Sequence, residues 1–348
     1  LVLGFVAART NFCTMGAISD VVNMEHWGRV RMWLLAIAVA MIGTNLLYYV
    51  DLIDLSKSIY QRPSLPWLSM LVGGVLFGVG MTLAGGCANK NLLRLGGGSL
   101  RSLVVLVFVA ISAYMTLKGL FGQWRSSFLD PVAIDLSGLG MQGQSLSHLL
   151  AALTGLPAKT ALLAATAIVV LALLIFVFKD KRFRATGEQV IGGVILGLII
   201  TAGWYLTGHI GFAENPETLE LTFFGTSSRT LESMSFVAPV AYTLELLMLW
   251  TDKSLRLTFG VATVLGVTLG SLIYALGARK FRWEGFASVE DLGNQIVGGL
   301  LMGFGGVTAM GCTIGQGMTG ISTLAIGSFI ALSGIVAGSV ATMKWQQR

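Results

Sequence analysis

The chain has 348 residues, of which 54% are hydrophobic and only 11% are charged, and its mean hydropathy is +0.77. Soluble domains carry about 25% charged residues, and a soluble globule of this size needs more polar surface than this chain provides. The composition argues against a soluble enzyme, a nucleic-acid-binding protein and a disordered chain. It indicates a protein of the lipid bilayer. The net charge of +6 is typical of membrane proteins with excess Lys and Arg in cytoplasmic loops.

Apolar segments recur along the whole chain. A spanning helix needs about 20 apolar residues, and the stretch at residues 1–8 is too short, as expected of a first helix that has lost its start. About nine later segments qualify, at residues 32–50, 67–86, 103–117, 158–178, 190–206, 236–250, 257–276, 296–311 and 324–343. This pattern predicts an all-α integral membrane protein with many spans.

Two basic clusters divide the chain. Residues 179–187 join two halves, 1–178 and 188–348, of one transmembrane domain, and a second cluster lies at 279–282. The positive-inside rule places both clusters in the cytoplasm. Three predicted spans separate them, whereas loops on one side require an even number. One segment is therefore re-entrant or one loop is misplaced. The polar stretches 119–157 and 209–235 predict extracytoplasmic loops with short interfacial helices.

The most informative feature of the chain is an internal repeat. Residues 73–91 align without gaps with residues 298–316, with eight identities in nineteen positions, and Cys87 aligns with Cys312. A further copy places Cys13 at the same position, and a weaker one, beginning at Gly192, has Leu206 there. We call these four copies the Cys13, Cys87, Leu206 and Cys312 units. Such repeats are typical of pseudo-symmetric transporters, in which interrupted helices form the substrate site.

Each cysteine unit contains an apolar helix, a glycine-rich break, the cysteine and a short polar segment. These polar segments are too short to span, and their unpaired amides are too costly to expose to lipid. The pattern therefore predicts short re-entrant helices that begin after each cysteine and line a cavity. Helix N-termini favour negative charge, so such a cavity suits an anion.

The cysteines Cys13, Cys87 and Cys312 have more than one possible role. A lone cysteine in an apolar helix is usually a small buried hydrophobic residue, but three at one repeat position favour a function. Thiols bind soft metals, exchange disulfides or hydrogen-bond a sulfur-containing ligand. Methionine residues form no ladder, which argues against a copper path. We expect neither a metal nor a cofactor.

Other polar residues lie beside the breaks. They either orient a polar ligand or cap the short helices: Asn11, Thr14, Asn89, Asn91, Thr313 and Gln316. Lys90 and Arg94 either attract an anion or are ordinary cytoplasmic positive charges.

Three segments carry a resemblance to a known family. They are residues 11–20 (NFCTMGAISD), 74–100 (GVLFGVGMTLAGGCANKNLLRLGGGSL) and 298–317 (GGLLMGFGGVTAMGCTIGQG). The chain resembles the YeeE/YedE family of sulfur-compound transporters over essentially its whole length. It departs from the family pattern at Asn11, where a basic residue is common, at Asn89 and Lys90, and at Met310, where glycine is usual.

The resemblance implies a fold and a function. The implied fold is an hourglass-like, all-helical protein of the bacterial inner membrane, in contact with lipid, whose short broken helices dip to the centre. The implied function is uptake of thiosulfate, relayed by the thiols of Cys13, Cys87 and Cys312, together with a small TusA-like sulfur-carrier protein in the cytoplasm. Such a protein is a transporter and not an enzyme.

Alternatives from other classes remain open. A membrane thiol oxidoreductase needs thiols that exchange, whereas the nearest cysteines here are 74 residues apart. Uptake of another sulfur or selenium species would use the same path. A structural membrane subunit with inert cysteines is the third alternative. The chain has no phosphate-binding loop, which argues against an ATP-driven pump.

Overall fold

The computed structural model describes residues 1–139, 141, 143–214, 220–286 and 288–347. The described part is dominated by α-helices, as the composition predicts. They are α1 (Val2–Arg9), α2 (Thr14–Met24), α3 (Gly28–Tyr49), α4 (Trp67–Leu83), α5 (Ala88–Gly96), α6 (Leu100–Lys118), α7 (Leu120–Trp124), α8 (Leu146–Thr154), α9 (Ala158–Phe178), α10 (Lys181–Ala185), α11 (Gly187–Tyr205), α12 (Val237–Met248), α13 (Phe259–Gly277), α14 (Val289–Thr308) and α15 (Ile326–Gln346).

Shorter elements lie in the connections and at the breaks. Three segments are 3₁₀-helical (Leu55–Lys57, Ile59–Gln61 and Ser137–Leu139), and three are π-helical (Arg125–Leu129, Leu206–Ile210 and Gly315–Gly320). Two small antiparallel ribbons pair β1 (Ser64–Leu65) with β2 (Ile134–Asp135) and β3 (Phe212–Glu214) with β4 (Leu221–Phe223). The stretches predicted as polar loops thus contain short helices and ribbons.

Seven helical segments of the described chain are long and apolar enough to cross a membrane: Gly28–Tyr49, Trp67–Gly96, Leu100–Lys118, Ala158–Phe178, Gly187–Ile210, Phe259–Gly277 and Ile326–Gln346. The prediction of a full span at 236–250 is wrong. That segment forms α12, whose 12 residues extend about 18 Å, well short of the ~30 Å hydrocarbon core. The segment 296–311 lies in α14, which has 20 residues but begins with two acidic residues and is not among the seven.

Both basic clusters lie on one side of the molecule, which we call the basic side. Helix α1 runs alongside the second half of α13, with Phe5 against Tyr274, and Arg9 at its end pairs with Glu188 at the start of α11. The end of α13 and the start of α11 are therefore on the same side. Only α11 and α13 cross between the two clusters, because α12 does not span. The odd number of spans expected from the sequence is thus resolved by a short α12.

Glycines of the repeat bring α4 and α14 into backbone contact. A Cβ atom on Gly80 would lie 2.7 Å from the carbonyl oxygen of Gly298, and one on Gly298 would lie 2.7 Å from that of Gly80. Gly73 and Gly305 are the repeat equivalents of this pair, and their reciprocal distances are 2.8 and 2.6 Å. The antiparallel helices are thus related by a local two-fold axis that exchanges the two units.

One glycine position has the same packing in all four units. In each unit this glycine packs against the backbone of a long helix. That helix is the one that follows another unit in the sequence, and the nearest atom is a carbonyl oxygen. The pairs are Gly4 with Val267, Gly78 with Ile335, Gly197 with Ala36, and Gly303 with Val109, and a Cβ atom on Gly197 or Gly303 would lie 2.6 Å from the carbonyl oxygen of its partner. Any side chain there would overlap the backbone of the neighbouring helix. The glycine surplus therefore serves close helix packing, as it does in other membrane bundles.

Candidate functional site

Cys13 and Cys87 each stand immediately before a short helix as its N-cap residue, and Cys312 precedes a helical turn that becomes π-helical at Gly315. The Sγ atom of Cys13 accepts a hydrogen bond from the amide of Gly16 at 3.3 Å. Cys312 Sγ accepts one from the amide of Gly315, again three residues later, at 3.4 Å. The prediction of short helices that begin after the cysteines is confirmed. A sulfur atom at each N-terminus takes the place of the hydroxyl or carboxylate oxygen that usually caps a helix.

Cys87 occupies the same position at the start of α5. Its thiol faces the Lys90 amide, again three residues later, although no cap hydrogen bond forms there. Asn91 Nδ2 instead donates to the carbonyl oxygens of Gly86 and Cys87, at 2.9 and 3.2 Å. Asn91 therefore holds the break at the start of α5, one of the two roles considered for it, beside the buried Cys87 thiol.

The residue two positions before each cysteine has a left-handed backbone conformation, with a positive φ angle. The φ angles are +52° at Asn11, +65° at Gly85 and +57° at Met310. This conformation costs about 1–2 kcal/mol for a residue with a Cβ and is well tolerated by glycine and asparagine. The three breaks thus share one backbone device that turns the chain from the apolar helix into the cysteine. It explains why glycine suits the position that Met310 occupies.

The three thiols lie inside the protein and near one another. Cys13, Cys87 and Cys312 are free, with relative exposures of 7%, 1% and 0%. Cys87 lies within electrostatic range of both other cysteines. No group of three metal-ligating side chains capable of holding an ion occurs in the described part of the chain. The three thiols therefore form one buried group, which we call the thiol series.

The short helices enter this region from opposite sides. Helix α2 points to the basic side, where Asn23 near its end contacts Gln347. Helix α5 ends there too, and Gly97 accepts a hydrogen bond from Arg282. The helical turn after Cys312 runs to the other side, where the segment after it contacts residues 61 and 144–146. The N-termini of α2 and α5 therefore direct their amides into the protein, an arrangement that favours an anion.

Several buried oxygen atoms beside the cysteines have no hydrogen-bond partner among the described residues. They belong to Thr14, Asn89, Asn91, Thr308 and Thr313. Each such group costs about 1–3 kcal/mol if nothing occupies the site with it. The Thr313 hydroxyl is also a neighbour of the Cys87 thiol. This set of unpartnered groups indicates a polar occupant, such as a small ion or water, at the breaks.

Gln316 has a structural role. Its Nε2 donates to the carbonyl oxygen of Ala309 at 2.5 Å, and its Oε1 accepts from Ser328 at 2.6 Å. Both ends of the amide are used to hold the break before Cys312 against α15. Of the two roles considered for Gln316, the structure therefore places it in the capping role.

Two basic residues lie at the end of the thiol series that is nearest the basic side. Lys90 Nζ donates to Asn11 Oδ1 at 2.6 Å and lies within electrostatic range of Cys13 and Cys87. Arg94 is exposed and lies beside the glycine break before Cys87. Lys90 therefore connects the Cys13 unit with the Cys87 unit. Arg94 lies nearer the surface of the basic side.

Two residues near the other end of the series were not predicted from the sequence. Tyr60 and Glu232 are far from the motifs in sequence, yet both lie close to the Cys312 unit, and Tyr60 interacts electrostatically with Cys312. Burial raises the pKa of Glu232 to about 7, although a hydrogen bond from Ser228 opposes this shift. The sequence marks Glu232 only as an acidic residue between Leu231 and Ser233. The structure buries both of these neighbours.

The Leu206 unit has the glycine packing but no break. Helix α11 continues into the π-helix Leu206–Ile210 as one membrane-spanning segment. Leu206 is 45% exposed, and the next residue, Thr207, donates to the carbonyl oxygen of Gly203 at 3.0 Å. The fourth repeat position therefore contributes nothing to the buried thiol series.

Comparisons with known proteins agree with the resemblance noted in the sequence. The Sulphur transport family matches residues 9–341. The thiosulfate transporter TsuA of Escherichia coli strain K12 is 27% identical over 360 residues, covering 99% of this chain and 91% of that protein. The thiosulfate transporter TsuA of Spirochaeta thermophila is 27% identical over 356 residues, covering 98% and 95%.

Proposed function

From the premise that this chain belongs to the Sulphur transport family, we propose that it carries thiosulfate, or a closely related small sulfur-containing anion, into the cytoplasm. It is a multi-pass membrane transporter and not an enzyme. The path leads past Cys312, Cys87 and Cys13 in that order, from the side opposite the basic clusters to the basic side. In a bacterium, this membrane is the inner membrane.

One observation carries the proposal. Three buried thiols head three short helices that enter from opposite sides, and the nearby buried hydroxyls of Thr14, Thr308 and Thr313, which can donate to an anion, lack partners among the described residues. Two of these helices, α2 and α5, contain 11 and 9 residues, so their dipoles favour negative charge at the breaks by roughly 0.3–1 kcal/mol each, and up to about 2 when partly buried. If the cysteines were ordinary buried hydrophobic residues, these features would have no explanation.

The thiols act as neutral hydrogen-bond donors. A protonated thiol donates an S–H bond and places no negative charge against the anion. Sulfur is large and polarizable, so it suits the terminal sulfur of thiosulfate as well as its oxygens. Because each S–H donor is weak, the anion is held loosely enough to pass from one cysteine to the next. The hydroxyls of Thr14 and Thr313 add donors along the way.

The direction of transport follows from charge. Lys90 and Arg94 lie at the basic end of the series, and basic loops face the cytoplasm by the positive-inside rule. An anion that leaves Cys13 therefore emerges among positive charges. A TusA-like sulfur-carrier protein in the cytoplasm would receive the sulfur compound there. The remaining surface of the spans contacts lipid.

Uptake of radiolabelled thiosulfate tests the proposal. Cells that lack other sulfur importers should accumulate the label only when they express this chain, and excess unlabelled thiosulfate should compete. Sulfate, sulfite and selenium analogues measured in the same cells define the selectivity. Absence of thiosulfate competition, with normal amounts of protein in the membrane, would contradict the substrate assignment.

The cysteine relay has a separate test. Cys87→Ala removes the central donor, and Cys87→Ser replaces it with a hydroxyl donor of smaller radius. Uptake should be lost in the alanine variant and partly retained in the serine variant. A trapped Cys13–Cys87 disulfide in active protein would instead favour thiol exchange chemistry. If the triple Cys→Ser variant and the triple Cys→Ala variant both transport as well as the wild type, the cysteines are inert.

A further inference from the structure

A second polar cavity lies away from the thiol series, on the side opposite the basic clusters. It has a volume of about 80 Å³ and lies between the end of α3, residues 55–61, the start of α8 and the segment after the Cys312 helical turn. Its polar lining includes Asn45, Gln61, Ser145, Ser147 and His148. None of these residues belongs to the cysteine motifs, and the proposed path does not use them.

The unpartnered groups in this cavity are hydrogen-bond acceptors. Asn45 and Gln61 are 2% and 5% exposed, and their side-chain oxygens Oδ1 and Oε1 have no partner among the described residues. Their amide nitrogens are already used: Asn45 Nδ2 donates to the carbonyl oxygens of Met41 and Ser322, at 2.8 and 3.0 Å, and Gln61 Nε2 donates to that of Thr323 at 2.8 Å. These bonds fix which end of each amide faces the cavity.

The serine hydroxyls beside His148 do not donate to these oxygens. The Ser145 hydroxyl is 2.7 Å from the Ser147 hydroxyl and 2.8 Å from His148 Nδ1, so these three groups are engaged with one another. Two buried amide oxygens therefore remain in a space large enough for an ion with a water molecule. Oxygen ligands of this kind suit hard cations.

We propose that this cavity binds a small monovalent cation of the Na⁺ class, with Asn45 Oδ1 and Gln61 Oε1 as ligands. Divalent cations usually recruit carboxylates, and no carboxylate is found among the described residues that line the cavity. Neutral amide and hydroxyl oxygens are sufficient for a single positive charge. The site nearest in chemistry is the coupling-ion site of secondary transporters, where oxygens beside broken helices bind Na⁺.

The charges around the cavity are compatible with a cation. His148 is the basic residue of the lining, and burial lowers its pKa below the usual range, so the ring is uncharged at neutral pH. Tyr48 at the mouth lies within electrostatic range of Asp51, Asp54 and Lys159. Lys159 is paired with Asp51 at 2.9 Å. The lining itself therefore presents no fixed positive charge to an entering cation.

Occupancy of this site is linked to the Cys312 unit by direct contacts. The amides that offer their oxygens to the cavity also bind the backbone of Ser322 and Thr323. These two residues end the helical turn that begins after Cys312, and the Ser322 hydroxyl donates to Thr319 at 2.7 Å. A bound cation would therefore hold this short segment in place from the side opposite the basic clusters.

Equilibrium binding of ²²Na⁺ to the full-length protein in detergent tests the proposal without any transport measurement. We expect saturable binding of about one ion per chain, which unlabelled NaCl displaces and choline chloride does not. Gln61→Leu should weaken binding at least tenfold, as expected when a ligand is lost. Gln123→Leu, an exposed glutamine on α7, is the matched control and should bind like the wild type.

A second pair of variants covers the case in which Gln61→Leu does not fold. Ala158 is exposed and lines the mouth of the cavity, so Ala158→Arg adds a positive charge there without burying it. Ala185→Arg adds the same charge on the exposed surface of the basic side. Only Ala158→Arg should weaken ²²Na⁺ binding.

Two results would overturn the inference. Absence of saturable ²²Na⁺ binding to the folded wild type would mean that the cavity holds water only. Equal binding by the wild type and Ala158→Arg would place any bound ion elsewhere. Because neither measurement involves thiosulfate, a failure of the proposed substrate would leave this result unchanged, and the reverse also holds.

Discussion

The Cys312 and Leu206 units show how one repeat gives two different structures. Both contain a glycine on which an added Cβ atom would lie 2.6 Å from a carbonyl oxygen of a neighbouring helix, and both lead into a π-helix. Before Cys312 the chain turns at Met310 with a positive φ, and the thiol is fully buried. At Leu206 the helix continues and the side chain is 45% exposed.

The residue after each position shows the same contrast. Thr313 is buried and its hydroxyl is unpartnered, whereas the Thr207 hydroxyl bonds to the backbone of Gly203 and Glu232. The glycine face therefore builds the bundle in both units, while the break alone builds the site.

The glycine faces should be equally sensitive in the two units. Gly303→Val and Gly197→Val each place a branched side chain against the backbone of another helix. Overpacking of this kind costs about 1–3 kcal/mol or more, so both variants should lower the thermal unfolding temperature and the yield of folded protein. Gly138→Val is the control, because no atom lies within 4 Å of a Cβ there. A strong effect in only one unit would contradict the shared packing.

The cysteine positions should differ sharply. Cys312→Ala should reduce thiosulfate uptake by about 10- to 100-fold, because a lost hydrogen bond to an ion in a buried site costs about 1.5–3 kcal/mol. Leu206→Ala should leave uptake within about twofold of the wild type, since that side chain lies at the surface. The measurement is initial uptake rate per amount of folded protein in the membrane. Equal losses would place Leu206 on the path.

The threonines after these positions provide a smaller contrast. Thr313→Val removes an unpartnered hydroxyl, so we expect uptake to fall about tenfold with stability unchanged or slightly higher. Thr207→Val removes a hydroxyl that bonds to the backbone, so it should lower stability by about 1 kcal/mol with less effect on uptake. Kinetic and unfolding measurements on both variants would separate the two roles. If Thr313→Val instead lowered stability and left uptake unchanged, Thr313 would have a structural role.

Glu232 should give uptake a modest pH dependence. Its pKa is raised to about 7 by burial, and it lies near Tyr60 and Tyr242, on the outer side of Cys312. Above this pKa the carboxylate is charged and repels an approaching anion. Uptake by the wild type should therefore fall a few-fold as the pH rises through about 7, whereas Glu232→Gln should lose this step. A step that persists in the variant belongs to another group.

Much of the helical frame was predictable because it depends on local sequence. Apolar length alone located the helices at 32–50 and 158–178, which the structure has as α3 and α9. Length was insufficient at 236–250, where the helix ends after Met248. The start of that helix is buried against α14, with Val237 against Gly306, whereas Leu247 and Met248 at its end are exposed. Its 12 residues are too few to span the bilayer.

The candidate site was predictable in part. The repeat identified Cys13, Cys87 and Cys312, because a rare residue at one repeat position stands out against generic apolar helices. It did not distinguish a ligand from a cap: both ends of the Gln316 amide hold the break before Cys312, whereas the Asn91 Oδ1 atom and the Thr313 hydroxyl have no partner among the described residues. Tyr60 and Glu232 were missed because their approach to Cys312 depends on contacts between distant segments.

The sequence by itself determined the membrane class, the repeat, the glycine faces and the cysteine position, since each depends on residue type and spacing. Only the tertiary structure decided which hydroxyls lack partners, which side each short helix enters from, and that Asn45 and Gln61 share a cavity. These properties depend on how separate helices pack. Helices that are apolar on every face carry little sequence information about their neighbours, so the position of each side chain follows from the assembled bundle.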